Sequence, residues 1–298
     1  MTAPATAGGT PRCWLVFLAL GLGACGCGAG ATGTVGQATA VSPSSTVAPP
    51  SAVALRAVRT AASRTLGLTA TVSLDFAGGL SAKAISGGGS FSFASASGRA
   101  QIRQPAGVET VVFQPTIVFD HPPPQDLVGL PHGITWIAAE PAERIPNPTS
   151  FDQFALQIEG KNPDFLLTQV AWGAVAAAPL GTTDIGSGSA SGYLVTVDLA
   201  TAASSASGPG SRAFASALRD EEHALGGSGA TPPQLTISAW IDPEGRVVRL
   251  EASPPGSGIG TTIMTMTAFG ARVDAARPPK GETVDLASLA PGGDYDRD

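Results

Sequence analysis

Few residues in this chain could carry chemistry, and they are unevenly distributed. The three thiols are Cys13, Cys25 and Cys27, all in the first tenth of the chain, so the body holds no disulfide framework, no cysteine metal site and no cysteine nucleophile. The three imidazoles are His121, His132 and His223. The first two sit in Pro/Gly-rich stretches (DHPPP and LPHG), and His223 follows Asp220-Glu221-Glu222 on an expected helix, where a solvated acidic face is the simpler reading than a metal site. Glu221 and Glu222 are consecutive, so on a helix they point about 100° apart and do not converge on one substrate. Gly188-Ser189-Ala190-Ser191-Gly192 has alanine where a nucleophile elbow needs serine, and reads as a low-complexity loop. Gly21-Leu22-Gly23-Ala24-Cys25-Gly26 satisfies G-x-G-x-x-G but lies in an apolar run with no βαβ context, which excludes a dinucleotide site. No enzyme is expected, and neither a metal nor a cofactor.

The thiol that remains informative is Cys25. Arg12 closes a short polar segment, Cys13–Leu22 (CWLVFLALGL) is apolar but too short to span a bilayer, and the run ends at Leu22-Gly23-Ala24-Cys25. An aliphatic residue, two small residues and a cysteine resemble the lipobox of bacterial lipoproteins. That resemblance implies cleavage before Cys25 and attachment of a diacylglyceryl group to its sulfur, with palmitate-type acylation and a membrane anchor. An ordinary secretory signal with an incidental cysteine is the alternative. Cys27 is a poorer match because Ala24-Cys25-Gly26 precedes it.

The lipobox resemblance implies an extracytoplasmic domain, and composition argues against a nucleic-acid partner. The net charge is −6, lysine occurs only at 83, 161 and 280, and no dense basic cluster exists. Residues 1–24 are read as the lipoprotein signal peptide and 25–50 as a flexible Gly/Ala/Ser/Pro tether, a coil of roughly 25–30 Å r.m.s. span. Residues 51–290 form the domain, and 291–298 an acidic tail.

Within the domain the organising stretch is Leu235–Phe269. Leu235, Ile237, Ala239 and Ile241 alternate with Thr236, Ser238, Trp240 and Asp242, the period of a half-buried strand. Asp242-Pro243-Glu244-Gly245 reverses the chain, Arg246–Ala252 returns, and Thr261–Phe269 is a third strand. Further strands are expected at Leu68–Phe76, Ser90–Ala94, Gly98–Arg103, Glu109–Phe113, Thr116–Asp120, Ile134–Ala138 and Tyr193–Leu199. Three helices are expected. Ser51–Leu66 carries a stripe of Leu55, Val58, Ala62 and Leu66. The second opens at Asn162-Pro163-Asp164 and carries Phe165, Leu166, Val170 and Trp172. The third is Ser211–Leu225. The fold class is therefore α+β: a curved antiparallel sheet of about ten strands, with helices covering its concave face.

Several segments in order are similar to the actinobacterial LolA-like lipoproteins grouped as the LppX/LprAFG lipid carriers. They are the Leu22–Cys25 box, Gly89-Ser90-Phe91-Ser92-Phe93, Asn162-Pro163-Asp164-Phe165-Leu166-Leu167, Gly192–Leu199, Trp240–Val247, and Phe269-Gly270 before Pro278-Pro279. The resemblance implies a half-barrel around an apolar cavity that takes an acylated lipid or glycolipid, on a monomer held at the outer face of the cell membrane, with a possible envelope transporter as partner. Bound lipid is then the one expected ligand. The family has no catalytic set to carry over. Candidate cavity residues, from pattern and resemblance together, are Leu74, Phe76, Phe91, Phe93, Phe119, Trp136, Ile237, Ile241, Ile263, Met264 and Met266. The two methionines suit an adaptable wall. Trp240 lies on the opposite strand face from Ile237 and Ile241, so at most one of those sets faces a lipid. The alternative from a different class is an envelope interaction or sensor lipoprotein of the same fold that binds a protein and carries no lipid.

Overall fold

A computed structural model describes residues 49–77, 85–104, 107–125, 127, 130–139, 163–186, 188–207, 215, 218, 234–252 and 261–289. The chain divides into two compact units, Met1–Ser44 and Ser45–Asp298, and every described residue belongs to the second. The expected signal peptide, nearly all of the tether, the third expected helix apart from residues 215 and 218, and the acidic tail lie outside the described residues.

Among the described residues twelve strands form one sheet. They are β1 (Thr69–Ala77), β2 (Ile85–Ser92), β3 (Ser97–Gln104), β4 (Gly107–Gln114), β5 (Ile117–His121), β6 (Trp136–Ala139), β7 (Ala174–Asp184), β8 (Ser189–Asp198), β9 (Gln234–Ile241), β10 (Val247–Ala252), β11 (Thr261–Thr267) and β12 (Thr283–Asp285). The order is β12-β6-β5-β4-β3-β2-β1-β11-β10-β9-β8-β7, so the sheet is open, with β12 and β7 at its edges. Every pairing is antiparallel except β12 with β6, which is parallel. A twisted open sheet this wide has to curl. The neighbouring backbones come unusually close to β2. A Cβ at Gly88 would meet the Val72 carbonyl of β1 at 2.7 Å, and one at Gly87 the Gln101 carbonyl of β3 at 2.6 Å. A Cβ at Gly89 would collide with the Arg99 carbonyl and sit 2.7 Å from the Ala100 Cα. Only glycine permits that approach on both sides.

Among the described residues, α1 (Ala52–Thr65), α2 (Pro163–Gly173) and α3 (Leu199–Ser205) pack on the sheet. Ser51 caps α1, its Oγ accepting from the Ala54 N–H at 3.1 Å. The buried side of α1 is Ala54, Val58, Ala61, Ala62 and Thr65, while Leu55 and Leu66 are only half-buried. The expected stripe is thus rotated toward the alanines, whose small side chains let the helix lie close to the strands. On α2 the buried residues are Pro163, Leu167, Thr168, Gln169, Val170, Ala171 and Gly173, with Phe165, Leu166 and Trp172 half-buried. That helix is enclosed on most sides by α1, α3 and strands β7 and β8, so a single-stripe reading fails there. α3 was not anticipated. Asp198 caps it by accepting from the Thr201 N–H at 2.6 Å.

The other corrections concern small residues. Ala174–Asp184, an Ala/Gly/Thr run, is the eleven-residue strand β7. Ser189–Gly192 belongs to β8 and is not a loop. β2 begins at Ile85, ahead of the expected start, and Phe93 falls in the turn after it. The tail is extended over 271–279 and then adds β12, which was not foreseen.

Candidate functional site

Register and alternation assign each residue to one of the two sheet faces. One face carries, strand by strand, Val284, Ile137, Val118, Phe113, Val111, Ile102, Ala100, Phe91, Ala70, Val72, Leu74, Met264, Met266, Leu250, Ala252, Ile237, Ala239, Val195, Val197, Ala174 and Ala177. These residues belong to one continuous apolar cluster that also includes Val58, Ala61, Leu167, Val170, Leu199 and Leu218 from outside the sheet. This is the inner wall. Phe91 packs at a 57° tilt against Phe93, 5.1 Å between ring centroids, and meets Phe113 edge-on at 5.8 Å. Two carboxylates, Glu109 and Asp120, are buried on the same face, and both have partners.

The outer face carries a separate cluster of Val112, Phe119, Trp136 and Ala138, with Ile117 beside it. The tail segment crosses it. Gln114 Nε2 donates to the Ala275 carbonyl, and the Arg277 guanidinium lies 5.9 Å from the Phe119 ring centroid. His121 packs edge-on against Trp136 at 5.1 Å, which accounts for that imidazole in structural terms, and His132 is exposed. Further along the outer face Trp240 lies over Gly192, with the Arg249 guanidinium 5.4 Å from its ring.

The sequence-derived candidates therefore separate. Leu74, Phe91, Phe93, Ile237, Ile241, Met264 and Met266 join the inner cluster. Phe119 and Trp136 belong to the outer one. Ile263 is half-buried and points outward, since it pairs with Asp75 and Glu251. The side chain of Phe76 lies outside the described residues.

A pocket of about 340 Å³ opens at one end of the sheet, between the β7–β8 and β9–β10 hairpin tips and the end of β11. Its lining includes Ser189, Asp242, Glu244, Arg246, Met266 and Phe269. The Asp242–Gly245 turn builds it. The Gly245 N–H donates to the Asp242 carbonyl at 2.9 Å, Gly245 has φ +74°, and the Asp242 N–H donates to the Arg246 carbonyl at 3.0 Å. Asp242 then turns back on the chain: one carboxylate oxygen accepts from the Arg246 N–H at 2.8 Å and the other from Arg246 Nε at 2.7 Å. Arg246 Nη2 reaches Asp242 at 2.6 Å and Glu244 at 3.1 Å, and the guanidinium lies 4.4 Å from the Phe269 centroid. Ala268, also lining the pocket, is held at φ +45°, a strained conformation for a side-chain-bearing residue. Of the sequence-derived candidates only Met266 reaches this pocket. The turn was legible beforehand; the pocket depends on a second hairpin tip arriving from far along the chain, which no local pattern announces.

Together the wall and the helices define an open α+β sheet with an apolar inner face. Among solved structures the chain is similar to LprF from Mycobacterium bovis, with 15% identity over 77% of this chain and 98% of that one at a TM-score of 0.40. It is also similar to the lipoprotein LppX from Mycobacterium tuberculosis, with 13% identity over 75% and 98% at 0.39. A LolA superfamily protein from Nitrosomonas europaea matches at 8% identity over 76% and 94%, TM-score 0.26. No protein-family profile and no curated protein matches the sequence. Among the described residues no helix is long and apolar enough to cross a membrane.

Proposed function

We propose that this chain is an envelope lipoprotein that binds and carries or presents acylated lipids, tethered through Cys25 at the outer face of the cell membrane. The observation that carries the reading is the inner wall: a largely apolar face running from β12 to β7, broken by the buried carboxylates Glu109 and Asp120. Burying a methylene contributes about 0.8 kcal/mol, so a chain of ~16 carbons offers on the order of 10 kcal/mol before entropy losses, and such a guest needs few polar anchors. Ordered sequence segments and the Leu22–Cys25 box support the same reading. Native mass spectrometry of the protein purified from its own membranes tests the cargo, and recovery of protein without stoichiometric lipid rejects it. Detergent partitioning of the Cys25→Ala chain tests the anchor separately: unchanged partitioning rejects lipidation at that position.

The second reading, an interaction or sensor lipoprotein without cargo, has one observation behind it. The 340 Å³ pocket lies at the hairpin tips, and Leu74, Ile237 and Met264 do not line it. Retention of an envelope protein by cargo-free chains would favour that reading.

A further inference from the structure

The pocket at the hairpin tips has a charge pattern that the lipid reading does not use. Arg246 is fixed by two carboxylates and an aromatic ring, and these engage its Nε, its Nη2 and its face. Among the described residues its Nη1 makes no hydrogen bond. A guanidinium with one nitrogen still open, held in a single geometry, is a pre-organised donor whose ordering cost is already met. The cation is fully compensated: Asp242 and Glu244 face it directly. Arg64, at the end of α1, brings its Nη1 to 3.6 Å from where a Gly245 Cβ would stand, and Asp184 sits on the opposing β7–β8 tip, beside the lining residue Ile185. The pocket lining itself thus holds one cation, Arg246, and two carboxylates, Asp242 and Glu244. An added phosphate would meet no net positive field, and would have to displace a carboxylate to gain a bidentate arginine contact. A group that both accepts from Nη1 and donates to the carboxylate oxygens suffers no such penalty.

Beneath this polar rim the floor is apolar. Val248 and Met266 line the pocket, and Met266 belongs to the inner wall. The strained Ala268 turn carries Phe269 to its place beneath Arg246. The lining therefore passes from donors and acceptors at the mouth to a methionine of the apolar wall within one cavity.

We infer that this pocket binds an uncharged, hydroxyl-bearing group, such as a sugar or glycerol unit, and discriminates against phosphate. The inference rests on the lipid reading only for the apolar part of an amphiphile; the polar part is read from the pocket alone. The chain has three methionines, Met1, Met264 and Met266, and of the β11 pair only Met266 lines the pocket, so methyl NMR can observe the site directly. The full chain, labelled at the methionine methyls and held in phosphatidylcholine nanodiscs, is titrated with hexyl glucoside, hexyl phosphate and methyl glucoside. The expected result is a shift of the Met266 signal with Met264 unmoved, half-complete at a hexyl glucoside concentration at least ten-fold below that for hexyl phosphate. Glu244, more than half exposed, can be neutralised without disturbing the turn, and Glu244→Gln should narrow that preference about five-fold. Arg246→Lys, which keeps the charge and loses the fork, should weaken hexyl glucoside ten-fold or more. Equal response to methyl glucoside assigns the site to free sugar, and no response to it assigns the site to an amphiphile's headgroup. Equal or better binding of hexyl phosphate, joint movement of Met264 and Met266, a silent Met266, or an unchanged preference in Glu244→Gln each overturns the inference. Lipid co-purifying with a silent pocket leaves the lipid reading standing, while a response to methyl glucoside in a cargo-free protein does the reverse.

Discussion

The two halves of the inner wall are built differently. From β7 to β10 the wall lies under helices, and its contacts are short and specific. β7 presents Ala174 and Ala177, small enough for α1 to approach. The Arg59 guanidinium donates to the Ala174 carbonyl, and the Ser51 N–H to the Ala177 carbonyl at 3.0 Å. Those bonds, with Pro179 and two register shifts, also occupy or bend an edge that would otherwise offer a strand-pairing template. From β1 to β6 the wall is mostly aliphatic, with Phe91 and Phe113 beside the β2 glycines, and the described helices do not pack against it as they do on β7. The first half is a helix–sheet interface locked by polar ties. The second is an apolar surface without such ties to the described helices.

The largest effect should come from the curl. Gly89→Val places a branched side chain against the β3 backbone, where no rotamer relieves the contact. A loss of more than about 4 kcal/mol, enough to prevent folding, is expected. A soluble variant with a normal urea midpoint would show that the β2 glycines do not set the bend.

Next comes a matched pair across the sheet. Phe91→Ala removes a fully buried ring from the inner wall and should cost about 4 kcal/mol. Phe119→Ala removes a ring from the smaller outer cluster, covered in part by the tail, and should cost about half as much. Equal midpoint shifts in denaturant would erase the distinction between wall and satellite.

In the helix-covered half Thr65 ties α1 to β10. Its Oγ1 donates to the Ala61 carbonyl at 2.8 Å and accepts from the Val247 N–H at 2.9 Å, with both partners buried. Thr65→Val keeps the volume and strands a buried N–H, for an expected loss of about 2 kcal/mol. Hydrogen exchange at Val247 should accelerate as α1 loosens. An unchanged rate would mean that apolar packing alone holds the helix down.

How far the sequence announces these features follows from side-chain size. Alternation of large apolar and polar residues located β1, β8, β9 and β10, because period two is visible only when the two faces differ in kind. β7 and the first half of β2 escaped since alanine and glycine fill both faces. β12 escaped because three residues carry no period, and its parallel pairing with β6 is made from across the chain. Leu74, Phe91, Phe93, Ile237, Ile241, Met264 and Met266 are candidates that fall in the inner cluster, most of whose other members are not among the candidates, and their face is not legible in the sequence. Phe119 and Trp136 look like Phe91 in the sequence, and only register places them on the other side. Arg246 reads as the first residue of the returning strand, and nothing local marks its pocket.

The smallest effect separates α2 from its surroundings by pH. Asp164 lies in the first turn of α2, and burial raises its carboxyl from 3.8 to about 6, partly opposed by the hydrogen bond it accepts from Thr168. Because the folded state holds this proton more tightly than the unfolded chain, the contribution to stability is fully present below about pH 3.8 and is lost as pH rises through 6. The full displacement corresponds to about 3 kcal/mol, but the side chain keeps some contact with solvent, so about 1 kcal/mol is expected. Asp164→Asn preserves the acceptor for Thr168 and removes the titration. The variant should match the parent near pH 4 and exceed it by about 1 kcal/mol near pH 7.5, measured as the difference in urea unfolding free energy at the two pH values. A difference that grows toward low pH has the opposite sign, and would mean that a cation or the helix dipole stabilises the ionised carboxylate. α2 would then be held by charge, and the contrast between a tied half and an apolar half would extend to the helix itself.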